Sequence, residues 1–339
     1  MMNAPLLRIE DVSVHFPVRK GLLQRQVGAV RAVEQVTLSL ARGEAFGLVG
    51  ESGCGKTTLA RTVLRLVDPT TGSIWFDGQN ITSQSGSSLL PFRKRVAAIF
   101  QDPFSSLNPR MKAGAILAEV LRVHAYQGDI AARVTELLDI CGLPPRFAEL
   151  YPHQMSGGQR QRVGIARALA LEPELIVCDE AVSALDVSIQ AQIINLLSDL
   201  RKRFGLSYLF IGHDLSVVRH LCDRVAVMYL GRVMEMADAE QLFANPQHPY
   251  TRALIDAVPD PDPLSEQVRS VEALQGEIPS PMNPPEGCVF HTRCPLAQAA
   301  CKEAPPALTQ VGAGHVAACI MVDQQSDKDR TSNEGERHG

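Results

Sequence analysis

The chain has 339 residues, 45% of them hydrophobic and 21% charged, with a net charge of −4. That length suits one large domain plus a smaller one, and the balance of charges leaves out the basic footprint of a nucleic-acid binder. No apolar run nears the ~20 residues of a bilayer span, and Met1–Phe16 lacks the apolar core of a signal peptide, so the expectation is a soluble, cytoplasmic chain whose membrane role runs through partners.

In chain order, Leu6–Phe16 and Ala32–Leu40 alternate as strands do. Glu44–Val49 is a short apolar strand that ends at Gly50, and Lys56–Val67 follows as a helix. Val96–Phe100, Leu175–Cys178, Ser207–Ile211 and Val225–Tyr229 are further β-rich runs. Helix-length segments separate them at Gly114–His124, Ile130–Cys141, Gly158–Ala170 and Ile189–Phe204. Interleaved strands and helices predict an α/β fold with a largely parallel sheet covered on both faces. Composition changes after residue 245: twelve of the 22 prolines lie between Pro246 and Pro306, which precludes long helices and central strands. A short helix over His248–Val258, a linker and a small loop-rich module are expected there. Asp323–Gly339 reads as a polar, disordered tail.

Gly50-Glu51-Ser52-Gly53-Cys54-Gly55-Lys56-Thr57, with Thr58 behind it, fits G-x-x-x-x-G-K-[ST]. It lies between a predicted strand and a predicted helix, the context that makes the pattern a phosphate loop. Glycines let backbone N–H groups curl around phosphate oxygens, and the helix N-terminus adds favourable partial charge. Lys56 supplies an ammonium for the β- and γ-phosphates and Thr57 a hydroxyl for Mg²⁺. ATP binding and hydrolysis are the expectation.

Leu175–Glu180 is an apolar strand ending in two acids. Asp179 can hold Mg²⁺ through water, and Glu180 can act as general base toward the attacking water. His213 ends another β-rich run, where it can reach a γ-phosphate. Met155-Ser156-Gly157-Gly158-Gln159-Arg160 opens the Gly158–Ala170 helix with a hydroxyl and two glycines, a second anion-ready helix start.

Taken together, these elements closely resemble ABC-type ATPases. Met155–Gln159 is similar to that family's signature, with Met155 in place of the usual Leu. Gln101 matches the glutamine that senses Mg²⁺ and the transport partner, and Ser183–Asp186 matches the D-loop. His213 matches the switch histidine, and Phe16 lies where the family stacks an aromatic on adenine. The resemblance implies a RecA-like core, an antiparallel β subdomain and a helical subdomain at about 104–171, within an ATP-binding domain spanning 5–245. It implies that two such domains close head to tail, so that Ser156, Gly157, Gly158 and Gln159 act on the partner's ATP while Asp186 serves the D-loop. Glu180, His213 and Gln101 would be catalytic, and Thr57, Gln101 and Asp179 would hold Mg²⁺. Two departures concern the turns: Ala181 replaces a usual proline, which could loosen the backbone beside Glu180, and Gly212 replaces a common serine.

Phe100–Arg110 and Asn245–Leu254 look like the corresponding segments of oligopeptide and dipeptide importer ATPases, the Ser106–Arg110 form being that of the second, F-type subunit. The resemblance covers about residues 5–322 and includes that subfamily's extension, 246–322. It implies a second ATPase subunit, two transmembrane permease subunits and, indirectly, an extracytoplasmic solute-binding protein, with this chain peripheral on the cytoplasmic face of the cell membrane.

Cys288, Cys294, Cys301 and Cys319 are spaced x5, x6 and x17. Four thiolates suit Zn²⁺ or a [4Fe–4S] cluster, and unmetallated or disulfide-bonded cysteines remain a third reading. The spacing lacks the C-x-x-C pairs of zinc ribbons. The subfamily resemblance implies the iron–sulfur cluster, with structural or regulatory use.

Overall fold

A computed structural model describes residues 4–21, 25–101, 106–183, 185–257 and 276–322. Asp102–Ser105 of the glutamine loop, Ala184 of the D-loop, Val258 and the 323–339 tail therefore lie outside the described residues.

Strands β1 (Leu7–Lys20) and β2 (Arg25–Leu40) form an antiparallel ribbon, with β4 (Thr71–Phe76) and β5 (Gln79–Asn80) completing a sheet of order β2-β1-β4-β5. The second sheet has the order β11-β12-β10-β9-β3-β8-β7-β6. Its strands are β3 (Ala45–Val49), β6 (Val96–Ile99), β7 (Leu175–Asp179), β8 (Ser207–Ile211), β9 (Arg224–Tyr229), β10 (Arg232–Asp238), β11 (Thr309–Gly312) and β12 (His315–Ala317). From β9 through β3, β8 and β7 to β6 every pairing is parallel, as the interleaved pattern predicts. The helices are α1 (Lys56–Val63), α2 (Leu90–Arg95), α3 (Ala113–Val123), α4 (Ile130–Ile140), α5 (Gly157–Leu169), α6 (Val187–Phe204), α7 (Leu215–Leu221), α8 (Ala239–Ala244) and α9 (Pro249–Asp256).

The parallel strands are mostly apolar and buried because both faces are covered. Their period-two alternation divides the core. Ile176, Cys178, Tyr208 and Phe210 face one cluster with α3–α6, while Leu175, Val177, Leu209 and Ile211 face another with α1 and the β1–β2 ribbon. Helix starts follow their caps: Asp129, Asp186 and Asp214 each accept backbone N–H groups at the head of α4, α6 and α7. Gly205, at φ 64°, ends α6.

The structure differs from the sequence reading in three places. The Lys56–Val67 helix stops at Val63, because Arg65 turns left-handed (φ 54°) and its guanidinium donates to the Ile81 and Thr82 carbonyls. The hairpins β4–β5 and β9–β10 turn at Asp77-Gly78 and Leu230-Gly231, all four residues with positive φ. Asp-Gly between β-rich runs is the signal for such a turn, and it marks β4 and β5, which hydrophobic runs alone did not. The proline-rich C-terminal part is also less loop-like than its composition suggests. Its β11–β12 pair extends the main sheet through β10, and Cys288, Val289, Phe290 and Cys301 belong to the main hydrophobic core.

Candidate active site

β3 delivers the chain into the loop at Gly50, and α1 carries it away at Lys56. Two of the glycines are required sterically. A Cβ at Gly50 (φ 149°) would lie 2.1 Å from the Met228 carbonyl oxygen, and one at Gly55 (φ 108°) 2.0 Å from that of Ala32. The loop is thus pressed between β9 and β2. Lys56 is buried, and its Nζ donates to the carbonyls of Gly50 (2.8 Å) and Glu51 (2.9 Å), closing the loop on itself.

The acid-tipped strand β7 stands two strands from β3, with β8 between. At its end the Thr57 hydroxyl donates to Asp179 Oδ1 at 3.0 Å. Burial pushes the Asp179 carboxyl up from its ordinary range, and the nearby Glu180 adds to this, while Thr57, Arg61 and Lys56 oppose it. A buried acid beside a hydroxyl offers oxygen donors to a divalent cation, whose charge would offset the burial. Thr57, Gln101 and Asp179 share one cleft of about 710 Å³. Gln101 Nε2 donates to Glu180 Oε2 at 2.6 Å, and His213 Nδ1 stands 3.9 Å from the same oxygen. Glu180, His213 and Gln101 therefore converge.

Glu180 itself is left-handed (φ 50°). The turn that follows is tied down despite Ala181: the Ala181 carbonyl accepts from Gln161 Nε2 (2.6 Å), the Glu180 carbonyl from Ser183 Oγ (3.0 Å), and the Glu180 N–H donates to Ile211. These bonds supply the constraint that a proline would have given. Gln161 lies on α5, so it also links the signature helix to the catalytic turn. The signature segment read from the sequence, Met155–Arg162, includes this residue, but nothing local assigns it a role.

Ser156 caps α5 in a capping box: its Oγ accepts from the Gln159 N–H, and Gln159 Oε1 accepts from the Ser156 N–H. A Cβ at Gly158 would meet Ile189 Cγ2 at 2.5 Å, and one at Gly157 would meet Leu185 at 3.4 Å. The signature turn thus packs on the start of α6, where Asp186 is the N-cap. Phe16 is 41% exposed and pairs with Val30, two residues from the Ala32 carbonyl that touches Gly55. Phe16 thus sits partly exposed on the β1–β2 ribbon, near the strand that borders the loop.

Cys288, Cys294, Cys301 and Cys319 line a single small cavity with His248, Phe290 and His291. Burial pushes the Cys288 thiol up to about 11, and the other three cysteines add to the shift. None of the eight cysteines is disulfide-bonded. Four soft donors around one cavity, Cys294 partly exposed and the other three buried, fit a thiolate-bound centre in chemistry, though among the described residues no group of three or more His, Cys, Asp or Glu side chains is already arranged to hold a metal ion.

A second anion-ready helix start, built apart from the phosphate loop and packed on the D-loop helix, is what separates ABC-type ATP-binding domains from other phosphate-loop folds. Comparison with known proteins agrees. The chain matches the ABC transporter family over residues 33–183 and the oligopeptide/dipeptide transporter C-terminal region over 234–301. It is 53% identical to the oligopeptide transport ATP-binding protein AppF of Bacillus subtilis over 319 residues, 93% of this chain and 97% of that protein. It is 52% identical, over 94% of its length and 99% of the other's, to a Brucella ovis protein provisionally named a peptide import ATP-binding protein. Among solved structures it is similar to a dimeric ATP-binding cassette bound to ADP and Pi, with a TM-score of 0.61 and 28% identity over 69% of this chain and 98% of that one. The chain belongs to the ATP-binding proteins of ABC transporters, in the branch that carries the oligopeptide/dipeptide C-terminal region. Among the described residues no helix is long and apolar enough to cross a membrane.

Proposed function

We propose that this chain is the ATP-hydrolysing subunit of an importer for di- or oligopeptides or related small solutes. The observation that carries the reading is the meeting of Thr57 with Asp179 and of Gln101 with Glu180 at adjacent strand ends beside the phosphate loop. Lys56 would exchange the Gly50 and Glu51 carbonyls for β- and γ-phosphate oxygens. Phe16 would stack on adenine, and Glu51, Ser52, Gly53, Cys54, Gly55 and Thr58 would line the phosphates. Thr57, Asp179 and Gln101 would hold Mg²⁺, which neutralises charge on the phosphate oxygens. Glu180 accepts a proton from water as its oxygen bonds to the γ-phosphorus and the bond to the ADP oxygen breaks. His213 steadies that water and the γ-phosphate.

By the family resemblance, Ser156, Gly157, Gly158 and Gln159 would act on another subunit's ATP, and in this chain that helix start packs toward Leu185 and Ile189 rather than the phosphate loop. That subunit would be a second ABC ATPase, with Asp186 near the contact. Closing and reopening would drive two permease subunits supplied by an extracytoplasmic solute-binding protein, at the cytoplasmic face of the membrane. The ATP-binding domain would span 5–245, with its helical part at about 104–171, followed by the extension at 246–322. Cys288, Cys294, Cys301 and Cys319 would hold a [4Fe–4S] cluster, with Zn²⁺ as the alternative. Equilibrium titration with a fluorescent ATP analogue tests the site. Saturable Mg²⁺-dependent binding that Lys56→Ala abolishes is the expected result, and undiminished binding in that variant would remove the loop from the function.

A further inference from the structure

The His248-Pro249-Tyr250 segment and the run between Cys288 and Cys294 take no part in the chemistry above, yet both end on the same residue of the phosphate loop. His248 Nδ1 accepts the Tyr250 N–H and so caps α9. Tyr250 is fully buried, and its hydroxyl accepts the backbone N–H of Glu51 at 2.9 Å. Arg293, beside Cys294, grips the Glu51 carboxylate with both arms: Nη1 to Oε2 at 2.6 Å and Nη2 to Oε1 at 3.0 Å. The Arg293 side chain is 5% exposed and that of Glu51 23%. Nη1 also donates to the Tyr229 hydroxyl at 3.4 Å. Phe290 packs on Tyr229 and Tyr250, with ring centres 5.3 and 5.2 Å away, so the segment bearing Arg293 is anchored in the core.

Glu51 is the only acid in the loop from Gly50 to Thr57. That loop must receive a polyanion. A free carboxylate there would repel the phosphates and could compete for Lys56, whose Nζ already touches the Glu51 carbonyl. A bidentate guanidinium neutralises the acid and fixes its direction. The same two contacts, Tyr250 to its N–H and Arg293 to its carboxylate, hold the first turn of the loop from outside.

We propose that Arg293 is a positioning residue for nucleotide binding: by pairing with Glu51 it neutralises and braces the phosphate loop, making the cysteine-bearing extension part of the ATP site's support. The proposal rests on the reading of residues 50–57 as an ATP site and adds a role for the extension in its affinity.

The test is steady-state ATP hydrolysis with nucleotide binding measured in parallel on the full chain. Arg293→Gln is expected to raise KM and the ATP dissociation constant about tenfold through the exposed Glu51 charge, with kcat at saturating ATP within about twofold. Adding Glu51→Gln to that variant is expected to recover most of the lost affinity, which a purely structural defect would not do. Arg293→Lys, which keeps the charge but loses the fork, should fall between, and it serves alone if Arg293→Gln does not fold. Unchanged KM in both single variants, or no recovery in the double variant, overturns the proposal. Absence of ATP binding by the unmutated chain overturns the underlying site instead, and that failure is visible before any variant is compared.

Discussion

Replacing Gly55 by alanine places a methyl 2.0 Å from the Ala32 carbonyl oxygen, where real Cβ contacts stay beyond about 3.0 Å. The obstacle is backbone, not the end of a flexible side chain, so loop and strand must part by about 1 Å. Holding alanine at a φ of 108° adds strain of about 1–3 kcal/mol, and the overlap adds a further ~1–3 kcal/mol. Gly53 is the internal control: its φ is also positive, at 78°, but a Cβ there meets nothing within 4 Å. Gly53→Ala should therefore destabilise by only about 1–2 kcal/mol. Urea unfolding without nucleotide measures both. The midpoint should fall at least about twice as far for Gly55→Ala as for Gly53→Ala, with unchanged slope. Equal shifts would refute the claim that the loop is pressed against β2.

Gly158→Ala should disturb the signature turn by crowding Ile189, at about 1–3 kcal/mol, and Ile189→Ala in the same chain should restore much of the stability in a double-mutant cycle. Glu235 is fully buried and accepts from the Gln247 and His248 N–H groups at 2.7 and 2.8 Å, with His315 Nε2 at 2.7 Å. Glu235→Ala should therefore lower stability by about 3–5 kcal/mol, read by thermal unfolding. Burial alone would raise the Glu235 carboxyl, but the bonds from His315, Gln247 and His248 outweigh it and hold it below its ordinary 4.5. Its stabilisation is thus present above pH 4.5 and is lost as pH falls from there through the lowered value, a dependence that Glu235→Gln should flatten. Anaerobically purified protein should contain iron and acid-labile sulfide. Stoichiometric zinc without iron would reverse that assignment, and substitution of Cys301 by Ser should reduce the bound metal.

The site was legible in the sequence because its chemistry is local. Gly50–Thr57 and Leu175–Glu180 each carry their own strand signal and functional tip, and parallel pairing in a sheet buried on both faces brings the tips together. Gln101 and His213 were legible for the same reason, each standing just beyond the end of a β-rich run. What stayed hidden depends on distant partners. The Gln161 bond to Ala181 spans 20 residues and compensates for a missing proline. The Arg293 bridge to Glu51 spans 242, and neither end has a local pattern that announces the other. Among the described residues the extension holds only short elements, in keeping with its proline content. That content could not reveal that β12 adds to β10 or that Phe290 enters the main core, because edge pairing and aromatic packing are set by tertiary contact rather than by composition.

The central claim is that this chain hydrolyses ATP with Glu180 as base, at a site whose phosphates lie on Gly50–Thr57. ATP turnover and ATP binding by Glu180→Gln, compared with the unmutated protein, test it most directly. The substitution keeps the shape and the approach to Gln101 while removing the proton acceptor. The account predicts retained binding with turnover reduced about 100-fold or more. Turnover within about twofold of the unmutated protein would contradict it.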